Sequence, residues 1–154
     1  MRASIIIVAA VLGTLSVAVA APPQPPQFAS AQSVEAFRVA PLWEKRDATR
    51  KVFHAQKVVA GPRVLTPRAS RAIAEELQRV YRSDWPPLYC AFVARYGVRL
   101  RLATSTVDVL VCPHCGEVQF YRSGECFRSA SVTAELLHLL QKTFPDHPLR
   151  ENET

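Results

Sequence analysis

Residues 98–121 read Val-Arg-Leu-Arg-Leu-Ala-Thr-Ser-Thr-Val-Asp-Val-Leu-Val-Cys-Pro-His-Cys-Gly-Glu-Val-Gln-Phe-Tyr. Val98, Leu100 and Leu102 alternate with Arg99 and Arg101. Val107, Val109 and Val111 alternate with Asp108 and Leu110, and Val118 and Phe120 with Gln119 and Tyr121. An apolar residue at every second position is the mark of a strand with one buried face. Thr104-Ser105-Thr106 and the Cys-Pro-His-Cys-Gly segment are short enough to be turns. The stretch therefore predicts three consecutive strands in an antiparallel meander.

The flanks supply helices. Thr66 can cap free amides, and Pro67 at the first helical position loses no hydrogen bond. Ile73, Leu77, Val80 and Tyr81 then fall on one face. Arg79 and Arg82 lie where a helix favours cations, and Trp85-Pro86-Pro87 prevents continuation. Downstream, Val132, Leu136, Leu139, Leu140 and Phe144 make a second amphipathic helix, with Ser131 as its cap and Pro145 as its end. Upstream, Val34–Ala40 reads as a strand ended by Pro41, and 42–51, with Trp43, as a loop. Val52–Ala60 reads as one strand stopped by Gly61-Pro62. The order β-β-α-β-β-β-α predicts an α+β fold, a small antiparallel sheet with two amphipathic helices on one face.

Met1-Arg2, the apolar run Ile5–Val17 and the small residues Ala18-Val19-Ala20 read as a secretory signal peptide. Four prolines in residues 21–26 make a leader that can enter neither a helix nor a sheet interior. The expected divisions are a signal peptide at 1–20, a Pro-rich leader at 21–33, one α+β domain at 34–145 and a polar tail at 146–154.

The 154 residues are 49% hydrophobic with a net charge of +6, which excludes a wholly disordered chain or an acidic tail protein. Removing Arg2 with the signal takes 19 basic residues to 18 against 13 acidic ones, net +5. The expected location is the periplasm or the extracellular space. Cytosolic nucleic acid is then out of reach, so no nucleic-acid partner is expected. The charge argues for solubility or an anionic envelope component. The mature chain has no stretch that reads as a transmembrane helix.

The cysteines Cys90, Cys112, Cys115 and Cys126 carry the sharpest signal, and they support three readings. In the first they form disulfides, as exported cysteines usually do. Joining Cys90 to Cys112 or Cys115 closes a loop of about 25 residues, worth about 3 kcal/mol, and Cys126 takes a remaining partner. In the second, Cys112, Cys115, Cys90 and Cys126 hold zinc. Cys-Pro-x-Cys-Gly between two strands resembles the knuckle of zinc ribbons and rubredoxins, and a closed site needs four ligands. In the third, Cys-Pro-His-Cys resembles the motif of periplasmic thiol-disulfide oxidoreductases, with Cys112 as nucleophile and Cys115 as resolving thiol.

Residues 90–121 run Cys-Ala-Phe-x-x-Arg-Tyr-Gly-Val-Arg, then Val-Asp-Val-Leu-Val-Cys-x-x-Cys-Gly-x-Val-x-Phe-Tyr. This resembles a group of small, often exported bacterial proteins of uncharacterised role. In them a Cys-x-Phe-x-Pro-Arg-His-Gly-like segment precedes a strand-borne Cys-x-x-Cys. The resemblance puts Cys90, Arg95, Cys112 and Cys115 on that pattern. Ala94 stands where proline is usual and Tyr96 where histidine is usual. It implies kinship of fold and no activity.

Other candidates are weaker. Arg95, Arg99 and Arg101 could bind an anion, or form a solvated face, with Asp108 a partner across the hairpin. His54, His138 and His147 show no metal-ligand spacing, and no catalytic serine, zinc-protease or phosphate-loop motif is present. The sequence thus points to a small exported binding or envelope-structural module stabilised by cysteine crosslinks, more a binder than an enzyme, with no cofactor. The alternatives are a zinc-knuckle partner-binding domain and a periplasmic oxidoreductase.

Overall fold

Valine and aromatic residues at alternate positions favour extended backbone, where a branched side chain packs on the pleat. The computed structural model describes residues 26–43, 51–83 and 90–149. The elements are β1 (Ser33–Pro41), β2 (Val52–Phe53), β3 (Gln56–Val64), α1 (Pro67–Arg82), β4 (Tyr96–Arg101), β5 (Thr106–Cys112), β6 (Glu117–Arg122), β7 (Glu125–Ser131) and α2 (Ala134–Thr143). The strands form one antiparallel sheet in the order β2-β3-β1-β4-β5-β6-β7. Over the described residues the fold is α+β, a seven-stranded curled sheet with two α-helices.

The meander falls as its alternation predicts. Val98 pairs with Val109, Val109 with Phe120 and Val118 with Ala130, all fully buried on the helix side. Thr66 caps α1 by accepting from the Ala69 amide at 3.3 Å. Ile73, Leu77 and Val80 of α1 meet Leu136, Leu140 and Phe144 over this face. Glu76, almost wholly buried, joins the helices. Thr133 Oγ1 donates to Glu76 Oε1 at 2.5 Å, and the same hydroxyl caps α2 by accepting from the Leu136 amide at 3.2 Å. The cap of α2 is thus Thr133, not Ser131, which ends β7.

Three stretches differ from expectation. The single strand over 52–60 is a hairpin, because His54 and Ala55 take φ of +46° and +57° and fold β3 back on β2. This is the twist that tight two-residue hairpins need. Gly61-Pro62 does not end the strand. β3 runs on to Val64 through a cis Gly61-Pro62 bond, with register shifts against β1 between Ala36 and Val39. Gly61 has φ +102°, and a β-carbon there would lie 2.7 Å from the Ala36 carbonyl oxygen. Finally, β7 adds a strand with little apolar alternation. It folds back on β6 through Ser123-Gly124, both at positive φ.

Both flanks of the domain are tied in. Phe28 is fully buried, 5.5 Å from both the Phe120 and Tyr81 rings, and its amide donates to Gln78 Oε1 at 2.8 Å. The core therefore takes in the end of the proline-rich stretch. At the other end, fully buried Arg38 donates from Nε to the His147 carbonyl at 3.2 Å and from an Nη to the Arg95 carbonyl at 2.7 Å. The signal peptide and residues 150–154 lie outside the described residues.

The sheet face away from the helices is also partly covered. Phe37, Val39, Phe53, Val58, Ala94 and Leu110 form a second apolar cluster there. The Phe53 ring lies on Gly97, where a β-carbon would come within 2.7 Å of it. The edge hairpin folds over the sheet, which curls to meet it.

Candidate functional site

The Cys-Pro-His-Cys-Gly segment is the turn between β5 and β6. The Gly116 amide donates to the Pro113 carbonyl at 3.1 Å, and Gly116 takes φ +63°. Cys112 Sγ accepts from the Cys115 amide at 3.3 Å and the Val93 amide at 3.4 Å. Cys115 is bonded to Cys90. The crosslink fastens the segment that leads into β4 against the β5–β6 turn. The Arg95 amide, which donates to the Val111 carbonyl at 2.9 Å, holds the same segment along β5.

This is one crosslink, not two. Cys112 is a buried thiol and Cys126 an exposed one. The register explains why they do not pair. Cys112 lies opposite Glu117, and Cys126 lies opposite Tyr121, four residues further along β6. At about 3.3 Å per residue that is about 13 Å.

The same geometry bears on the other two cysteine readings. Zinc would need four sulfurs at one point, but two are bonded to each other and Cys126 is on a distant part of β7. Among the described residues no group of three or more His, Cys, Asp or Glu side chains is placed to hold a metal ion. A solvent-facing Cys112–Cys115 dithiol is not present either. Cys112 is fully buried, and Cys115 is joined to a cysteine outside the motif.

The arginines do not form an open anion site. Arg99 grips Asp108 with two hydrogen bonds, Nε to Oδ1 at 2.7 Å and Nη2 to Oδ2 at 2.8 Å. That bonding raises the Arg99 pKa, burial opposes it, and the charges of Asp108 and Glu35 add to the rise. Arg101 reaches Glu35 at 3.4 Å, and Arg95 is largely buried.

Sequence reasoning passed over His54. Its Nε2 lies 2.8 Å from Asp108 Oδ2, and its ring is 4.5 Å from that of Tyr121. The positive φ that makes the hairpin turn also aims the imidazole inward. A His-Ala pair between two short runs was the available signal, but it is not a standard turn pair. Tyr121 in turn donates to Gln119 Oε1 at 2.5 Å, and Gln119 Nε2 donates to Glu117 Oε1 at 2.9 Å. Burial pushes the Tyr121 phenol above its ordinary range, and electrostatic interaction with Cys126 and Glu117 adds to the rise. Residues 117, 119 and 121 share one face of β6. A polar row thus runs from the His54–Asp108 contact to the cysteine turn.

No known protein family matches the chain, and neither does any curated protein or solved structure. Among the described residues no helix is long and apolar enough to cross a membrane.

Proposed function

We propose that the protein is an exported binding or envelope-structural module, kin to the small Cys-x-x-Cys proteins it resembles, and that it works through its surface rather than by catalysis. The Cys90–Cys115 bond carries this reading. Structural disulfides belong to oxidising compartments, and this one lies behind an amino-terminal segment with the pattern of an export signal. The polar side chains at the curl support a holding role. Asp108 has both oxygens occupied by Arg99 and His54, so it fastens strands together. The half-buried row of Gln119 and Tyr121, close to the crosslinked turn, is the face offered to a partner.

The test is expression of the full chain with its own leader, followed by fractionation and thiol labelling. The reading predicts recovery outside the cytoplasm, cleaved after Ala20, with two of the four cysteines protected, Cys115 one of them. Retention in the cytoplasm with all four cysteines labelled contradicts it.

A further inference from the structure

Cys112 is fully buried and reduced beside a formed disulfide. Its surroundings are specific. One amide aimed at its sulfur belongs to Cys115 itself, and the other to Val93, three residues after Cys90. Both bonded cysteines thus lie on the segments that grip this sulfur. The Cys-Pro-His-Cys turn, closed by the Gly116–Pro113 hydrogen bond, keeps Cys112 Sγ 3.3 Å from the Cys115 amide. Burial keeps outside thiols away from Cys112, while held geometry gives an internal nucleophile a high effective concentration.

We propose that Cys90, Cys112 and Cys115 form a three-cysteine exchange site in which Cys112 is the internal nucleophile. The Cys112 sulfur, as thiolate, attacks Cys115 Sγ. The Cys112–Cys115 bond forms and the Cys90–Cys115 bond breaks. Cys90 leaves with the electron pair and takes up the proton that Cys112 gave. One disulfide and one thiol stand on each side, so no oxidant or reductant is consumed. The exchange moves the reactive thiol from a buried position to partly exposed Cys90, and it unfastens the segment that leads into β4. The Cys90 thiol is then available to a disulfide-bearing protein or a low-molecular-weight disulfide. This inference rests on the crosslink and not on the binding role.

The experiment uses the oxidised full mature chain with Cys126→Ser, which removes the exposed thiol on β7. Native protein is held with iodoacetamide at about pH 6 and about pH 8.5, quenched in acid and mapped by peptic digestion. Exchange runs through the thiolate, so it quickens with pH. The expected result is Cys90 labelling that grows with time, faster at the higher pH, matched one for one by a Cys112–Cys115 linked peptide. Adding Cys112→Ser should lower Cys90 labelling at least tenfold. In a Cys90→Ser chain, a glutathione buffer should produce the Cys112–Cys115 bond. Labelling of Cys112 alone in the parent, with Cys90 protected at both pH values, overturns the proposal. So does Cys90 labelling that persists unchanged in Cys112→Ser. The one-for-one match is read on the parent chain, so it stands even if a variant fails to fold.

Discussion

His54 and Asp108 are hydrogen-bonded at 2.8 Å, although four strand steps separate β2 from β5 in the sheet. With neighbouring strands about 4.8 Å apart, a flat sheet would hold them about 19 Å from each other. The contact is therefore a latch that closes the curl. Asp108→Ala removes the partner of both Arg99 and His54 in a half-buried setting. It should cost about 2 kcal/mol in urea unfolding, with part of the Arg99 share lost to solvent screening. His54→Ala should cost less, because Arg99 keeps its carboxylate. A double-mutant cycle should give a coupling clearly above zero; additive effects would mean that the contact does not hold the curl.

The curl also needs Gly97. Its missing β-carbon makes room for Phe53, whose ring is backed by Phe37 at 4.4 Å between centroids. Gly97→Ala should destabilise by about 1–3 kcal/mol through overpacking. Adding Phe53→Leu to the same chain should recover part of that loss. If Gly97→Ala alone leaves the denaturation midpoint unchanged, the ring does not sit on the strand as described.

Much of this was legible and some was not. The meander was, because Val98, Val109 and Phe120 bury one face at a period of two. The first helix was, because Thr66-Pro67 marks its start in the chain itself. Of the candidate site, Cys90 with Cys115 was legible as one pairing among several. The curl was not legible. It depends on a contact between residues 54 positions apart, and His54 looks like an ordinary strand residue until the turn beside it is seen. The last strand was hidden because Glu125–Ser131 is polar and lies at a sheet edge, where burial imposes little pattern.

The Tyr121 phenol has a pH signature. Burial raises its pKa in the folded chain above the ordinary value of about 10. The folded state thus holds this proton more tightly than the unfolded state. Its contribution to stability is complete below about pH 10 and is lost as pH rises through the higher folded value. In a spectrophotometric titration Tyr121 should ionise late, and Tyr121→Phe should reduce the late component by one group. A late component of unchanged size in the variant contradicts the assignment.

The two kinds of cysteine should separate cleanly in stability. Cys90→Ser opens a loop spanning 25 positions and should cost about 3 kcal/mol. Cys126→Ser, at an exposed position on β7, should stay within about 0.5 kcal/mol of the parent. Chemical denaturation under non-reducing conditions reads both. Equal effects would mean that Cys126 takes part in a crosslink.

The most direct test of an exported, singly crosslinked domain is the intact mass of the protein from the exported fraction, denatured and alkylated without reduction. The account predicts a chain that begins at Ala21, two protons lighter than its reduced form, with two alkyl adducts. That count holds whether Cys115 is joined to Cys90 or, after exchange, to Cys112. A chain that still begins at Met1, or one with four adducts, would contradict it.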